Sequence, residues 1–202
     1  LHCDHRQKTI VSWSLNANHI VEKQEHKTAR LKERLKALTK VTDAGYLVGL
    51  HFDPVILFPD WKREYKELIY STIAATNPKQ IAWISLGSLR FNPEMKQKIE
   101  ANFPATTITF EEMIKGNDGK MRYPKPTRLK LYSWFIEHLK EALGCKDLSP
   151  LAPPTLDTPL FYFCMERWDI WEDLLGASPE SIQELDFLFA RSLSSRFHHN
   201  LA

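Results

Sequence analysis

The feature that most constrains this chain is a set of three apolar runs without polar alternation, at residues 9–17, 46–52 and 81–88. Each is followed by hydrophobic residues at helical spacing. A strand with no polar face must be covered on both sides, which is the condition of a parallel sheet flanked by helices. The repeated strand–helix order therefore predicts an α/β fold, either an α/β barrel or an open doubly wound sheet.

The first run, TIVSWSLNA, ends in small polar residues and leads into a polar connection over residues 18–27. Thr28 is the expected N-cap of a helix carrying Leu31, Leu35, Leu38 and Val41, and Gly45 is its stop. The second run, YLVGLHF, is punctuated by Pro54 and Pro59. Asp60 then opens a helix whose face is Trp61, Tyr65, Leu68, Thr72 and Ile73. After the third run, IAWISLGS, the segment Asn92-Pro93-Glu94 starts a helix with Met95, Ile99 and Phe103 on one stripe. A short fourth strand is expected at 106–110, a long loop in KGNDGKMRYPKP, a strong helix at 127–143 and a Pro-rich linker at 148–159. A strand in FYFCM and a helical tail from about residue 166 complete the reading, with residues 1–202 forming one unit. A closed barrel of eight units takes about 250 residues. The expectation is therefore a partial (β/α) barrel whose amino-terminal units lie upstream of Leu1, since the chain opens without Met.

No apolar run approaches the roughly 20 residues that a membrane-spanning helix requires. With 27 Lys and Arg against 25 Asp and Glu, the net charge of +2 does not drive nucleic-acid binding globally, so any basic surface is local. The three cysteines, Cys3, Cys145 and Cys164, are odd in number and widely spaced, which argues for a reducing, cytoplasmic setting.

In α/β folds, ligands bind at the carboxyl ends of the strands. Ser14 and Asn16 share a face there and either hydrogen-bond a polar ligand or cap the strand locally. His51 and Asp53 also share a face, a pattern that suits a metal or acid/base pair and equally a partly buried His satisfied by its neighbours. Ser85, Ser88 and Arg90 end the third strand, and Cys164 and Glu166 the last. His2, Cys3 and His5 form a further possible metal cluster, read instead as a frayed end. No Walker, dinucleotide or Gly-x-Ser-x-Gly motif is present. In residues 115–130, Lys115, Lys120, Arg122, Lys125, Arg128 and Lys130 interleave with Met121 and Tyr123. Such a mixture fits phosphate contacts and stacking on an exposed base, or simply a solvated surface.

Several separated patterns together resemble the carboxyl-terminal half of spore photoproduct lyase and its relatives among the radical S-adenosylmethionine (SAM) enzymes. They are Ser14-Leu15-Asn16-Ala17; Glu25 and Thr28 with Glu33-Arg34 and Ala44-Gly45-Tyr46; and Gly49, Pro54, Trp61, Tyr65 and Leu68 in one stretch. Arg90-Phe91 and Pro93, Asn102-Phe103-Pro104, and Gly119-Lys120 with Tyr123 complete the series. The resemblance implies a partial barrel with a [4Fe-4S] cluster on a CxxxCxxC loop, a motif that this chain lacks and that is expected upstream. It further implies that Ser14 contacts the carboxylate end of SAM with Asn16 alongside, while Cys145 and Cys164 inherit no role. The chain departs from the lyase at His51 and Asp53, where apolar residues are more usual, and in its tail.

The resulting expectation is a radical SAM lyase that repairs thymine-dimer lesions of the spore photoproduct type in DNA through a 5′-deoxyadenosyl radical, served by an electron-donor protein. His51, Asp53, Arg90, Lys120, Arg122 and Tyr123 are the expected substrate contacts. The rivals are a metal-dependent hydrolase using His51 and Asp53, and a non-catalytic DNA-binding relative.

Overall fold

The computed structural model describes residues 1, 4, 5, 8–152 and 155–199, the last two by backbone alone. In chain order the elements are β1 (Ile10–Ser14), α1 (Asn18–Lys23), α2 (Leu31–Asp43), β2 (Leu47–Val55), α3 (Trp61–Ala74), β3 (Ile81–Ser88), β4 (Arg90–Phe91) and α4 (Pro93–Asn102). They continue as β5 (Ile114–Lys115), β6 (Met121–Arg122), α5 (Lys125–Leu143), β7 (Leu160–Phe163), α6 (Trp168–Leu175) and α7 (Ile182–His199). The main sheet has the order β1-β2-β3-β7, with every pair parallel. The short strands form a separate antiparallel sheet, β4-β6-β5.

The apolar runs alternate after all, but between two covered faces. Leu50, Phe52, Ile84, Leu86, Phe161 and Phe163 are fully or nearly fully buried and belong to the main core. On this face Phe135 of α5 meets Phe52 edge-on at 5.9 Å and Tyr65 of α3 at 5.2 Å. Trp171 of α6 meets Phe163 at 5.4 Å. Burying side chains of this size contributes roughly 1.5–3 kcal/mol each, which explains why the helical stripes of α3 and α5 face the sheet.

The opposite face carries Gly49, Trp83 and the residues that follow them at every second position toward the carboxyl ends. Its amino-terminal part is covered by α7, whose Phe189 packs edge-on against Trp83 and Tyr162 at 6.0 and 5.0 Å. Arg196 anchors that helix by donating to the carbonyls of Lys79, Leu156, Thr155 and Thr158.

Four expectations are corrected. Residues 18–23 of the expected polar connection form α1, because Ile20 and Val21 are buried. The helix α2 starts at Leu31; the Thr28 hydroxyl donates to Glu25, and it is Glu33 that accepts from the Arg30 amide at the helix start. Residues 106–110 form turns rather than a strand. The stripe of α4 does not enter the core, since Met95 and Phe103 are exposed. The expected long loop also contains order of its own, a hairpin closed by Gly116 and Gly119, with Gly119 at a φ of 80°.

Candidate functional site at the carboxyl end of the sheet

The parallel register lines up Ser14 with His51, His51 with Ser85, and Ser85 with Tyr162. Four polar side chains therefore cross the four strands in one row on the face away from α3 and α5, since successive residues alternate between faces. Two residues further along come Asp53, Gly87 and Cys164, with the Cys164 amide donating to the Leu86 carbonyl at 2.8 Å.

Within the first row the hydrogen bonds form a chain. The Trp83 indole Nε1–H donates to His51 Nε2 at 3.2 Å, and His51 Nδ1 lies 2.7 Å from Ser85 Oγ. An indole only donates, so Nε2 is the unprotonated nitrogen, and the tautomer that this network assigns carries its proton on Nδ1. Burial lowers the His51 pKa from 6.5, against the opposing effect of Asp53. His51 thus sits neutral with both nitrogens engaged.

In the second row, a Cβ at Gly87 would stand 2.8 Å from Asp53 Oδ1. The missing side chain is what lets the Asp53 carboxylate lean across β3. There it lies toward the Cys164 thiol, whose pKa is pushed up to about 12 by burial first and by Asp53 second. Arg90 closes this corner, with Nη1 3.4 Å from the Met165 carbonyl and Nη2 4.0 Å from Cys164 Sγ.

Beside the rows, at the ends of β1 and β2, lies a cavity of about 350 Å³ lined by Ser14, Asn16, Glu25, Thr28, Asp53 and the apolar Ile20, Ile56 and Ile108. Its size is that of small-molecule sites, ~300–1,000 Å³. Ser14 is exposed in it, and its backbone carbonyl is held by Arg34, which also pairs with Glu25. Asn16 is committed elsewhere. Its Oδ1 accepts from Tyr65 Oη at 2.6 Å and from the Ala17 amide at 3.0 Å, while its Nδ2 donates to the Pro54 carbonyl at 3.0 Å. Asn16 shapes the wall, and Ser14 presents the hydroxyl.

The structure gathers Ser14, His51, Asp53 and Arg90 at one end of the sheet, and Arg90 also pairs with Arg122 across β4 and β6. Tyr123, expected to stack on a base, has no exposed surface; its hydroxyl accepts from the Leu57 amide and its ring belongs to the core. Arg122, expected to meet a phosphate, is buried and folds back across Gly116 onto Asp118. Arg128 is likewise buried in an ion pair with Glu166, and Lys125 bridges Asp169 and Asp173. Lys115 and Lys130 are exposed and Lys120 half-buried. The hydrolase alternative loses its ligands, because both His51 nitrogens are engaged and no group of three His, Cys, Asp or Glu among the described residues is placed to hold a metal. Of the amino-terminal trio, His2 and Cys3 lie outside the described residues, and His5 stacks on Tyr46 at 3.7 Å. Tyr162 is the site residue that sequence reasoning missed. Its signal was parity, two positions before Cys164 on the same strand face.

A parallel sheet with helices packed on both faces and a polar site at its carboxyl end defines a βα-repeat protein. The family model for spore photoproduct lyase matches residues 1–141, and the chain belongs to that family. Spore photoproduct lyase from Clostridium acetobutylicum is 26% identical over 141 residues, covering 67% of this chain and 42% of that protein. The Bacillus subtilis enzyme is 30% identical over 115 residues, covering 55% of this chain and 33% of that protein. The chain thus spans between a third and about two fifths of these curated relatives. Among solved structures, a cysteine-to-alanine variant of spore photoproduct lyase with dinucleoside spore photoproduct superposes with a TM-score of 0.63 at 22% identity, covering 79% of this chain and 46% of that one. A double variant with bound AdoMet and dinucleoside spore photoproduct gives 0.59 at 21% identity, covering 80% and 47%.

Proposed function

We propose that this chain is the carboxyl-terminal part of a partial radical SAM barrel, residues 1–202 acting as one unit, in a DNA-repair lyase for thymine-dimer lesions of the spore photoproduct type. The observation that carries the reading is the exposed Ser14 hydroxyl opening into the cavity at the ends of β1 and β2, in a chain of the spore photoproduct lyase family. The lining fits SAM in kind: a hydroxyl for its carboxylate, the carboxylate of Glu25 for its ammonium or ribose hydroxyls, and isoleucines for the adenine. When reductively cleaved, SAM supplies a 5′-deoxyadenosyl radical. The described residues offer no thiolate triad for a [4Fe-4S] cluster.

What the chain's own residues do is bind and orient. Ser14 donates to the SAM carboxylate, Tyr65 and Pro54 hold Asn16 as the wall behind it, and Asp53 and Arg90 border the space in which the lesion sits beside the cofactor. DNA is the partner, approached by Lys115 and Lys120 of the hairpin; an electron-donor protein and a cytoplasmic setting complete the reading. The test is SAM binding and cleavage by the full-length protein. Ser14→Ala is expected to weaken SAM binding roughly tenfold to a hundredfold, the worth of a hydrogen bond to a charged group. Equal affinity by titration calorimetry, or no 5′-deoxyadenosine on reduction with SAM and spore photoproduct DNA, overturns it.

A further inference from the structure

Between β4 and β5 the chain leaves the small sheet and returns to it, since Phe91 pairs with Met121 and Ile114 with Arg122 on the shared neighbour β6. The excursion consists of α4 and the turns that follow it, and α4 buries none of its ten residues. Two buried hydroxyls tie it down. Thr109 Oγ1 donates to Glu100 Oε1 at 2.7 Å and folds the turns back onto α4, while Thr106 Oγ1 donates to Gln24 Oε1 at 2.7 Å and fastens them to the segment between α1 and α2. Both threonines are buried in a stretch that is otherwise mostly exposed. Phe103 and His26 add a stacked contact across the same junction, with 4.7 Å between ring centroids and 11° between planes. This junction is at the rim of the cavity assigned to SAM, whose lining includes Gln24, Glu25 and Thr28 on one side and Ile108, two residues after Thr106, on the other.

We propose that residues 92–110 form a hinged flap over this cavity, latched by Thr106 to Gln24 and by Phe103 to His26, with Ile108 as the side chain that closes on the bound ligand. The proposal rests on the SAM reading and deepens it, since it concerns how SAM enters and is held rather than what its carboxylate meets. A segment whose helix gives no face to the core opens at little cost, and its closure keeps water from the ligand. Opening breaks one neutral hydrogen bond and one aromatic stack, while both ends of the excursion stay paired to β6. The bond from Thr109 to Glu100 makes α4 and the turns move as one piece. Ile108, half-buried against the main core, joins Ile20 and Ile56 in the apolar part of the lining. Thr106, Phe103 and His26 are positioning residues: they act on the ligand through Ile108.

The test uses the full-length protein with SAM as the probe, and stopped flow reads the association and dissociation rates. Thr106→Val keeps the shape of the side chain and removes the donor. Because the latch acts on the closed flap whether or not SAM is bound, its loss is expected to raise both rates about threefold to tenfold, as for one hydrogen bond, and to leave the dissociation constant within about twofold. Phe103→Ala, at an exposed position, repeats the test without touching a buried group and is expected to shift both rates in the same sense. Ile108→Ala is expected to raise the dissociation rate alone, about tenfold, because it removes apolar contact from the closed state. In the wild type, SAM is expected to slow amide hydrogen exchange over residues 103–110. Unchanged rates in both latch variants, or exchange over 103–110 that SAM leaves unaltered, overturns the flap while the SAM reading stands. A dissociation rate that rises alone in the latch variants also overturns it, because the segment is then a fixed wall. A wild type that binds no SAM overturns the SAM reading, and the flap with it.

Discussion

Gly87 and Asp53 occupy one space: a Cβ at position 87 would lie 2.8 Å from Asp53 Oδ1 and 2.9 Å from its carboxyl carbon. The backbone of β3 is ordinary at this point, so the glycine is required by the neighbour's side chain rather than by its own conformation. Gly87→Ala is predicted to swing the carboxylate aside at a modest stability cost, ~1 kcal/mol. It also moves away the carboxylate that helps to hold Cys164 protonated. Since burial is the larger cause of the raised thiol pKa, that pKa falls part of the way. Alkylation of Cys164 followed by peptide mass spectrometry across pH 7–10 is expected to run faster in the variant, while the rate at Cys145 stays fixed. Gly49→Ala is the contrasting case, because its Cβ would meet Trp83 Nε1 at 2.5 Å and a rigid indole cannot move aside as a carboxylate does. It is expected to cost more, about 1–3 kcal/mol by denaturant unfolding.

His51 makes stability depend on pH in a stated direction. Its folded pKa lies below 6.5, so below that value the unfolded chain takes up a proton that the folded one resists. The stability that neutral His51 contributes is fully present above pH 6.5 and falls as the pH drops from 6.5 through the lowered folded pKa. Urea unfolding at intervals between about pH 5 and 7.5 is expected to show a steeper decline for the wild type than for His51→Gln. Parallel curves would remove His51 as the cause.

Arg196 fastens the tail. The side chain has no exposed surface, and its donors meet four carbonyls at the amino-terminal ends of β3 and β7. Arg196→Leu leaves those acceptors without a partner and is expected to cost about 3 kcal/mol or more. Faster hydrogen exchange along α7 should accompany the loss as Phe189 leaves Trp83 and Tyr162. Arg196→Lys is expected to restore little, since an ammonium does not reproduce the planar fork.

The hairpin separates cations that face outward from those that hold the fold. Changing both Lys115 and Lys120 to Gln is predicted to lower the salt slope of duplex DNA binding by about two, with thermal stability unchanged. Arg122→Gln is predicted to do the reverse, destabilising the hairpin through loss of the Asp118 pair with no specific effect on the slope. Filter binding at several salt concentrations, beside thermal melts, checks both.

The sequence by itself determined the strands of the main sheet, the large helices and the parity of the side chains. Periodicity is a local property, and the apolar runs at 46–52 and 81–88 could satisfy their backbones and bury both faces only inside a covered parallel sheet. It also placed Ser14, His51 and Asp53 at strand ends and on their faces. It left open which strands lie side by side and in what register, because partners such as His51 and Ser85 are 34 residues apart and Trp83 and Tyr162 are brought against the same residue, Phe189, only by the fold. Only the tertiary structure decided that His51 is enclosed by Trp83 and Ser85 rather than open to a metal, and that the Asn16 amide is taken by Tyr65 and Pro54. The same holds for Tyr123 and Arg122, which composition alone reads as a surface of aromatics and cations. The packing of the β5–β6 hairpin against the rest of the chain buries both: the Tyr123 ring enters the core and its hydroxyl accepts from the Leu57 amide, while Arg122 turns back within the hairpin onto Asp118.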